Sequence, residues 1–307
     1  MDENNKHGNP VRVAFQKLFK NKLATICFVV LILEIILVVL APAIAPYGYD
    51  EQDPANKLRP GFWAQWTAVT DPADPDYNER DTYLPGHLLG TDDYGRDVLS
   101  RLLYGGRVSL MVGFVSTAMG LFAGVVCGLL AGYYKKLDNP IMRVMDLLFT
   151  FPGILLAMLI IAMLGVNTFN AMLAISIWSI PSFARMVRGK VLQVKEEDYI
   201  MATRSLGAKD SRIIFIHILK NCLPVIIVIA TMRMATSLIS ISTLSYLGMG
   251  VTPPQPEWGG MISAGKQYLW DRPSLIFIPG IAVMITVICF NILGDKLRDI
   301  LDPSLKD

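Results

Sequence analysis

Apolar residues along this chain are gathered into long runs instead of alternating with polar ones. Residues 23–45 are interrupted only by Glu34, and residues 108–134 carry no charge at all. Further runs cover 144–166, 169–184, 223–249 and 274–294. Each approaches or exceeds the roughly 20 residues with which a helix crosses the hydrocarbon of a bilayer. The pattern therefore predicts an all-α polytopic membrane protein with six transmembrane helices. Pro152 falls inside the third run, Pro181 inside the fourth and Arg233 inside the fifth. From Asp97 onward, Val98, Leu99, Leu102 and Leu103 recur at helical spacing, which predicts a short amphipathic helix leading into the second span. Residues 46–85, rich in Pro, Asp, Trp and Tyr, predict an irregular external excursion.

Composition agrees, with 53% hydrophobic residues and a mean hydropathy of +0.44. Net charge is only +2, so nothing in the bulk attracts nucleic acid. The placement of charge says more. Of 28 Lys and Arg, 19 lie in 1–22, 135–143, 185–220 and 295–307, and 8 lie in 46–107 and 249–273. Positive charge collects on the cytoplasmic side of membrane proteins, so both termini are expected in the cytoplasm, with the chain in a cell membrane. The first run is too long for the hydrophobic part of a signal peptide. The expected layout is a cytoplasmic segment (1–22), a first helix with its external excursion (23–107), a transmembrane core (108–298) containing a cytoplasmic loop (195–221), and a tail (299–307).

Candidate chemistry is sparse. There is no G-x-x-x-x-G-K-[ST] phosphate loop, no G-x-S-x-G and no H-E-x-x-H; His7, His87 and His217 stand apart. Cys27, Cys127, Cys222 and Cys289 lie in or beside apolar runs without metal or disulfide spacing, and read as small buried hydrophobes. No catalytic, metal or cofactor site is expected. Gly120, Gly124, Gly128 and Gly132 form one face of the second span, which predicts close approach of another helix. Thr236, Ser240 and Thr243 make a hydroxyl stripe on the fifth span. The stripe serves either as lining for a polar path or as partners for backbone carbonyls. Arg233 is costly at such depth unless it faces water or a partner, and Glu34 is a candidate partner. The loop 195–221 is long and charged, yet carries Tyr199, Ile200, Leu206, Ile213, Ile214, Phe215 and Ile218. Those positions predict short helices that offer an apolar face to another protein, broken at Gly207.

Three stretches carry a resemblance. Asp198-Tyr-Ile-Met-Ala-Thr-Arg-Ser-Leu-Gly-Ala208, followed by Ile214-Phe-Ile-His-Ile-Leu219, resembles the EAA loop of ABC importer permeases. His87-Leu-Leu-Gly-Thr-Asp-Asp-Tyr-Gly-Arg-Asp-Val-Leu-Ser-Arg101 is similar to the external signature of C-type subunits in dipeptide and oligopeptide permeases. Leu244-Ser-Tyr-Leu-Gly-Met-Gly-Val-Thr-Pro-Pro-Gln-Pro-Glu-Trp-Gly259 resembles the end of their fifth span and the loop after it.

The resemblance implies a type I ABC importer permease fold. It further implies a non-catalytic subunit that pairs with a paralogous B-type permease and docks on two ATPase subunits, which use the ATP. An extracytoplasmic solute-binding protein would deliver peptide from outside. Tyr199, Ala202, Thr203, Leu206, Gly207 and Ala208 would form the coupling element. Pro254 and Trp258 would contact the binding protein, with a place in an interfacial aromatic belt as the other reading of Trp258. Arg233, Thr236, Ser240 and Thr243 are the pathway candidates. The sequence departs from the family at three points: Met201 stands where the loop's Glu is usual, Lys220 where a Pro follows Leu219, and Ile241 where an acidic residue is frequent. Transport of nickel chelates or glutathione by the same family is the alternative. A secondary transporter would have no use for the loop 195–221.

Overall fold

The computed structural model describes residues 18–69 and 71–301. His7, nearly all of the expected N-terminal segment and the end of the tail lie outside the described residues. Helix α1 (Lys22–Val39) starts where the Asn21 side chain accepts the Ala24 N–H at 3.1 Å. Only Ala24, Cys27, Leu31 and Val38 are buried on it, while Ile26, Val29, Leu33 and Ile36 face outward. An outer surface of that kind is stable only in lipid, where a helix satisfies its own backbone groups.

Helix α2 (Val98–Tyr133) has 36 residues and so runs about 54 Å. The expected amphipathic lead-in and second span are one continuous helix, longer than the roughly 30 Å of hydrocarbon. Its start is fixed by Asp97, whose carboxylate accepts both the N–H and the hydroxyl of Ser100 at 2.7 Å.

The third run departs from expectation. It is split into α3 (Lys135–Thr150) and α4 (Gly153–Leu164), which meet at 92°. Pro152 is the cause: it donates no N–H, and it forces Phe151 into the extended region (ψ 134°). Helix α5 (Thr168–Val194) extends ten residues beyond the expected end of the fourth run. There Arg188 forms a two-pronged ion pair with Asp138 of α3 (2.5 and 2.6 Å), and Arg185 reaches Asp146 at 2.7 Å.

The chain then forms α6 (Asp198–Ser205), a short turn Asp210–Arg212 and a π-helical segment Ile213–Ile218. That segment feeds directly into α7 (Leu219–Tyr246). Helix α8 (Trp258–Gly265) and helix α9 (Ser274–Leu301) follow. Among the described residues, four helical stretches are long and apolar enough to cross a membrane: α1, α2, Asp210–Tyr246 and α9. The bent pair α3–α4 is a fifth, as a broken span. Helix α5 has the length but less apolar character. Twelve of its 27 residues, Ser176 and Ser179 among them, are buried against other helices, where lipid sets no requirement.

The most extensive helix contact is α2 on α5, and the glycine face makes it. A Cβ on Gly120 would lie 2.0 Å from Ser179 Oγ, one on Gly124 2.4 Å from Phe183 Cβ, and one on Gly128 2.7 Å from the Ala184 carbonyl oxygen. On Gly132 it would lie 2.6 Å from Val191 Cβ. Dispersion and close backbone approach, not expulsion of water, hold such a seam in a bilayer. Separately, α1 lies along α9 through Leu18, Ala24, Cys27, Leu31, Cys289 and Leu293. All four cysteines are free thiols, three of them buried and Cys127 partly so.

Candidate functional site

Three groups of candidate residues occupy three levels of the bundle. At one end, within the loop 195–221, helix α6 is rooted by a single side chain. Ile200 of α6 is fully buried among Leu129 of α2, Val187, Val191 and Val194 of α5, and Ile213, Ile214 and Ile218. Polar ties supplement it: Lys195 Nζ donates to the Gly132 carbonyl at 3.1 Å, and Tyr133 Oη donates to Asp210 at 2.6 Å. Asn221 Nδ2 donates to Tyr199 Oη at 2.8 Å, and the Arg204 guanidinium lies 5.4 Å from the Tyr133 ring centre.

The opposite face of α6 is bare. Tyr199 is 44% exposed and Leu206 88%, and Met201 and Ala202 are exposed with them. The helix closes in a Schellman turn: the Gly207 N–H donates to the Arg204 carbonyl (2.9 Å) and the Ala208 N–H to the Thr203 carbonyl (3.3 Å). Gly207 adopts φ +79°, and a Cβ there would meet nothing within 4 Å. Its requirement for glycine is therefore one of backbone conformation and not of space. Burial raises the Tyr199 hydroxyl above its ordinary range, with Glu197 adding to the effect.

Halfway along the bundle, the hydroxyl stripe turns inward onto its own helix. Thr236 donates to the Arg233 carbonyl (3.0 Å), Ser240 to Thr236 (2.7 Å) and Thr243 to Ile239 (2.8 Å). Ser240 is buried and Thr236 exposed, so the four pathway candidates do not share one open surface. Glu34 is not the partner of Arg233. The Glu34 carboxylate accepts a hydrogen bond from Thr286 of α9, and Arg233 donates to Ser182 of α5. The two side chains find their hydrogen-bond partners on different helices, although α9 packs against α7 next to Arg233, with Gly294 facing Met232.

At the far end, residues 87–101 form a polar knot over the start of α2. His87 Nδ1 lies 3.0 Å from Asp97 Oδ1, with the Tyr47 ring stacked on the imidazole at 4.4 Å. Asp92 accepts from Arg96 Nε (2.7 Å) and lies 3.3 Å from Arg101 Nε. Burial, with the neighbouring Asp92 charge, pushes the Asp93 carboxyl above its ordinary range. Arg272, ahead of α9, ties down the excursion by donating to Leu58 (2.6 Å) and Arg80 (3.1 Å) carbonyls and to Asp81. Trp258 corrects an expectation. It is 2% exposed, with its ring against Gly106 and its indole N–H donating to the Leu102 carbonyl at 3.0 Å. It is neither an outward contact nor part of a lipid-facing belt. Pro254 is exposed.

Residues 120–307 match the family model described as the binding-protein-dependent transport system inner membrane component. This chain belongs to that permease family. Residues 9–60 match a second model, the N-terminal transmembrane domain of oligopeptide transport permease C. The permease is 40% identical over 299 residues to a dipeptide transport system permease protein of Alkalihalophilus pseudofirmus, covering 97% of this chain and 91% of the relative. It is 35% identical over 300 residues to a di/tripeptide transport system permease protein of Pseudomonas aeruginosa (97% and 94% covered). It is 44% identical over 250 residues to a glutathione transport system permease protein of Pectobacterium atrosepticum (80% and 82%). Among solved structures, the inward-facing MetNI methionine ABC transporter shares its fold. The TM-score is 0.53 at 21% identity, over 66% of this chain and 97% of that one.

Several side chains that organise the permease carry no signal in the linear sequence. Ile200 is one isoleucine among many, and Ser182 one serine in an apolar run. Glu257 was legible in part, as the Glu before Trp258 in a family-like stretch. It is 1% exposed, caps α8 by accepting the Gly260 N–H at 2.9 Å, and accepts the Ser109 hydroxyl of α2 at 3.1 Å.

Proposed function

We propose that this permease is one half of a two-subunit pore that imports short peptides. It would be driven by two ATPase subunits that dock on α6, while an extracytoplasmic binding protein delivers the peptide. The observation that carries this reading is the division of labour on α6: Ile200 locks the helix into the bundle, while Tyr199, Ala202 and Leu206 stand bare on the other side. A face so exposed and apolar, on a helix so firmly rooted, suits transmission of a push from a partner's cleft to α5 and α7. The Lys and Arg distribution supports a cytoplasmic position for this loop. The chain itself binds no nucleotide and no cofactor in this reading; ATP is consumed by the partners. The coupling set is Tyr199, Ala202, Thr203, Leu206, Gly207 and Ala208. Pro254 remains a candidate external contact.

Peptide is favoured as cargo by two relatives matched over 97% of this chain. Glutathione, itself a tripeptide, is the second reading, favoured by the 44% identity over a shorter stretch. Cells lacking their own peptide importers and carrying the complete transporter should take up a labelled dipeptide. Excess unlabelled dipeptide should compete and glutathione should not. Uptake of labelled glutathione without uptake of dipeptide would select the second reading, and uptake of neither would overturn both.

A further inference from the structure

Arg233 stands 14 residues from the start of α7 and 13 from its end, so about 20 Å of helix lies on each side of it. Ser182, its hydrogen-bond partner, is 14 residues from the start of α5 and 12 from its end. The pair therefore sits near the middle of two long helices, on the side of the apolar runs nearer the loop 195–221, and a charge held between helices there is costly unless it meets water or a partner. A guanidinium has five N–H donors, and Ser182 is the one acceptor it meets among the described residues. No carboxylate of the described residues forms an ion pair with it; Asp146 and Asp138, on the neighbouring helix, are engaged by Arg185 and Arg188.

The site is not sealed. Arg233 and Ser182 are each half-buried, and next to them Thr236, Arg185 and Met186 are exposed. The midpoints of α5 and α7 thus place a half-buried cation, with a hydroxyl beside it, next to exposed residues. An Arg with unfilled donors at such a place is matched in shape and charge by a carboxylate, which a guanidinium binds through two parallel hydrogen bonds.

We propose that Arg233 and Ser182 form a substrate station between the middles of α5 and α7, at which the guanidinium binds the C-terminal carboxylate of a passing peptide. The proposal rests on the peptide-import reading and deepens it. Every linear peptide has that carboxylate whatever its side chains, so one fixed cation serves a varied cargo, and glutathione also carries carboxylates. Ser182 orients the guanidinium while the site is empty and leaves its remaining donors for the ligand.

The test uses the complete transporter in proteoliposomes, with labelled dipeptide enclosed by the binding protein, and reads peptides imported per ATP hydrolysed. Arg233→Gln should assemble in wild-type yield and import about 10-fold fewer peptides per ATP, the loss expected for one charged hydrogen-bonded contact. Arg233→Lys should recover part of the ratio, keeping charge without the fork. An unchanged ratio in Arg233→Gln overturns the proposal. So does failure of that variant to assemble, which would make the guanidinium a structural ion for a partner subunit. A second measurement needs no substitution: a dipeptide with a photoreactive group at its C-terminal residue, held in the wild-type complex during turnover, should crosslink to α5 and α7 around Ser182 and Thr236. Crosslinks confined elsewhere overturn it. A wild-type complex that imports neither dipeptide nor glutathione refutes the transport reading itself, before any variant is compared.

Discussion

Gly207 and Trp258 show how one side chain, or its absence, sets a boundary. At Gly207 the constraint is φ +79° with open space around it. Valine there costs about 1–2 kcal/mol in backbone strain, whereas Asn visits this region readily. Gly207→Val should lower import several-fold while membrane abundance of the chain stays at wild-type level, and Gly207→Asn should stay near wild type. Equal import by both variants would remove the Schellman turn from the coupling element. Trp258 is a packing residue between α2 and α8. Trp258→Ala should destabilise the assembled permease by about 3–5 kcal/mol, as for other large core truncations, seen as a lower melting temperature in detergent. Stimulation by the binding protein should fall only in proportion to the surviving complex. A selective loss of stimulation with unchanged melting would restore Trp258 as a contact.

The α2–α5 seam is a property of two whole helices. Four glycines one turn apart let Ser179, Phe183, Ala184 and Val191 approach the α2 backbone, and the added Cβ distances fall between 2.0 and 2.7 Å. Backbone cannot yield as the tip of a flexible side chain does, so Gly124→Leu or Gly128→Leu must force the helices apart. The cost exceeds the ~1–3 kcal/mol of ordinary overpacking. Yield of assembled complex should drop sharply for either variant. Val126 lies on the same helix but is exposed, so Val126→Leu should assemble in wild-type yield. Normal assembly of Gly128→Leu would show that the helices separate in the membrane.

For the molecule as a whole, the expectation is a vectorial one: the loop around Lys209 faces the cytoplasm and the excursion around Asp76 faces outward. The native thiols are buried or partly so, which leaves single engineered cysteines as the reporters. In intact cells an impermeant thiol reagent should label Asp76→Cys, and Lys209→Cys only after permeabilisation. Equal labelling at both positions would overturn the layout. The same view explains why the knot of His87, Asp92, Arg96 and Asp97 is so densely bonded. It anchors an excursion with few regular elements to the rigid head of α2.

Much was decided by the sequence alone, because a bilayer imposes length and apolarity on every helix that touches it. The first, second, fifth and sixth runs became α1, α2, α7 and α9, the glycine face became a seam, and the stretch from Asp198 became the helix it resembled. The bend at Pro152 was written there too, though a run of apolar residues concealed it. What tertiary structure alone decided were pairings: Glu34 with Thr286 instead of Arg233, Trp258 inward instead of outward, and Ile200, not its neighbours, as the root of α6. Periodicity fixes which residues share a face. Which neighbour that face meets depends on the packing of helices distant in the chain, and hydrocarbon, being equally apolar on all sides, leaves no mark of it in the sequence.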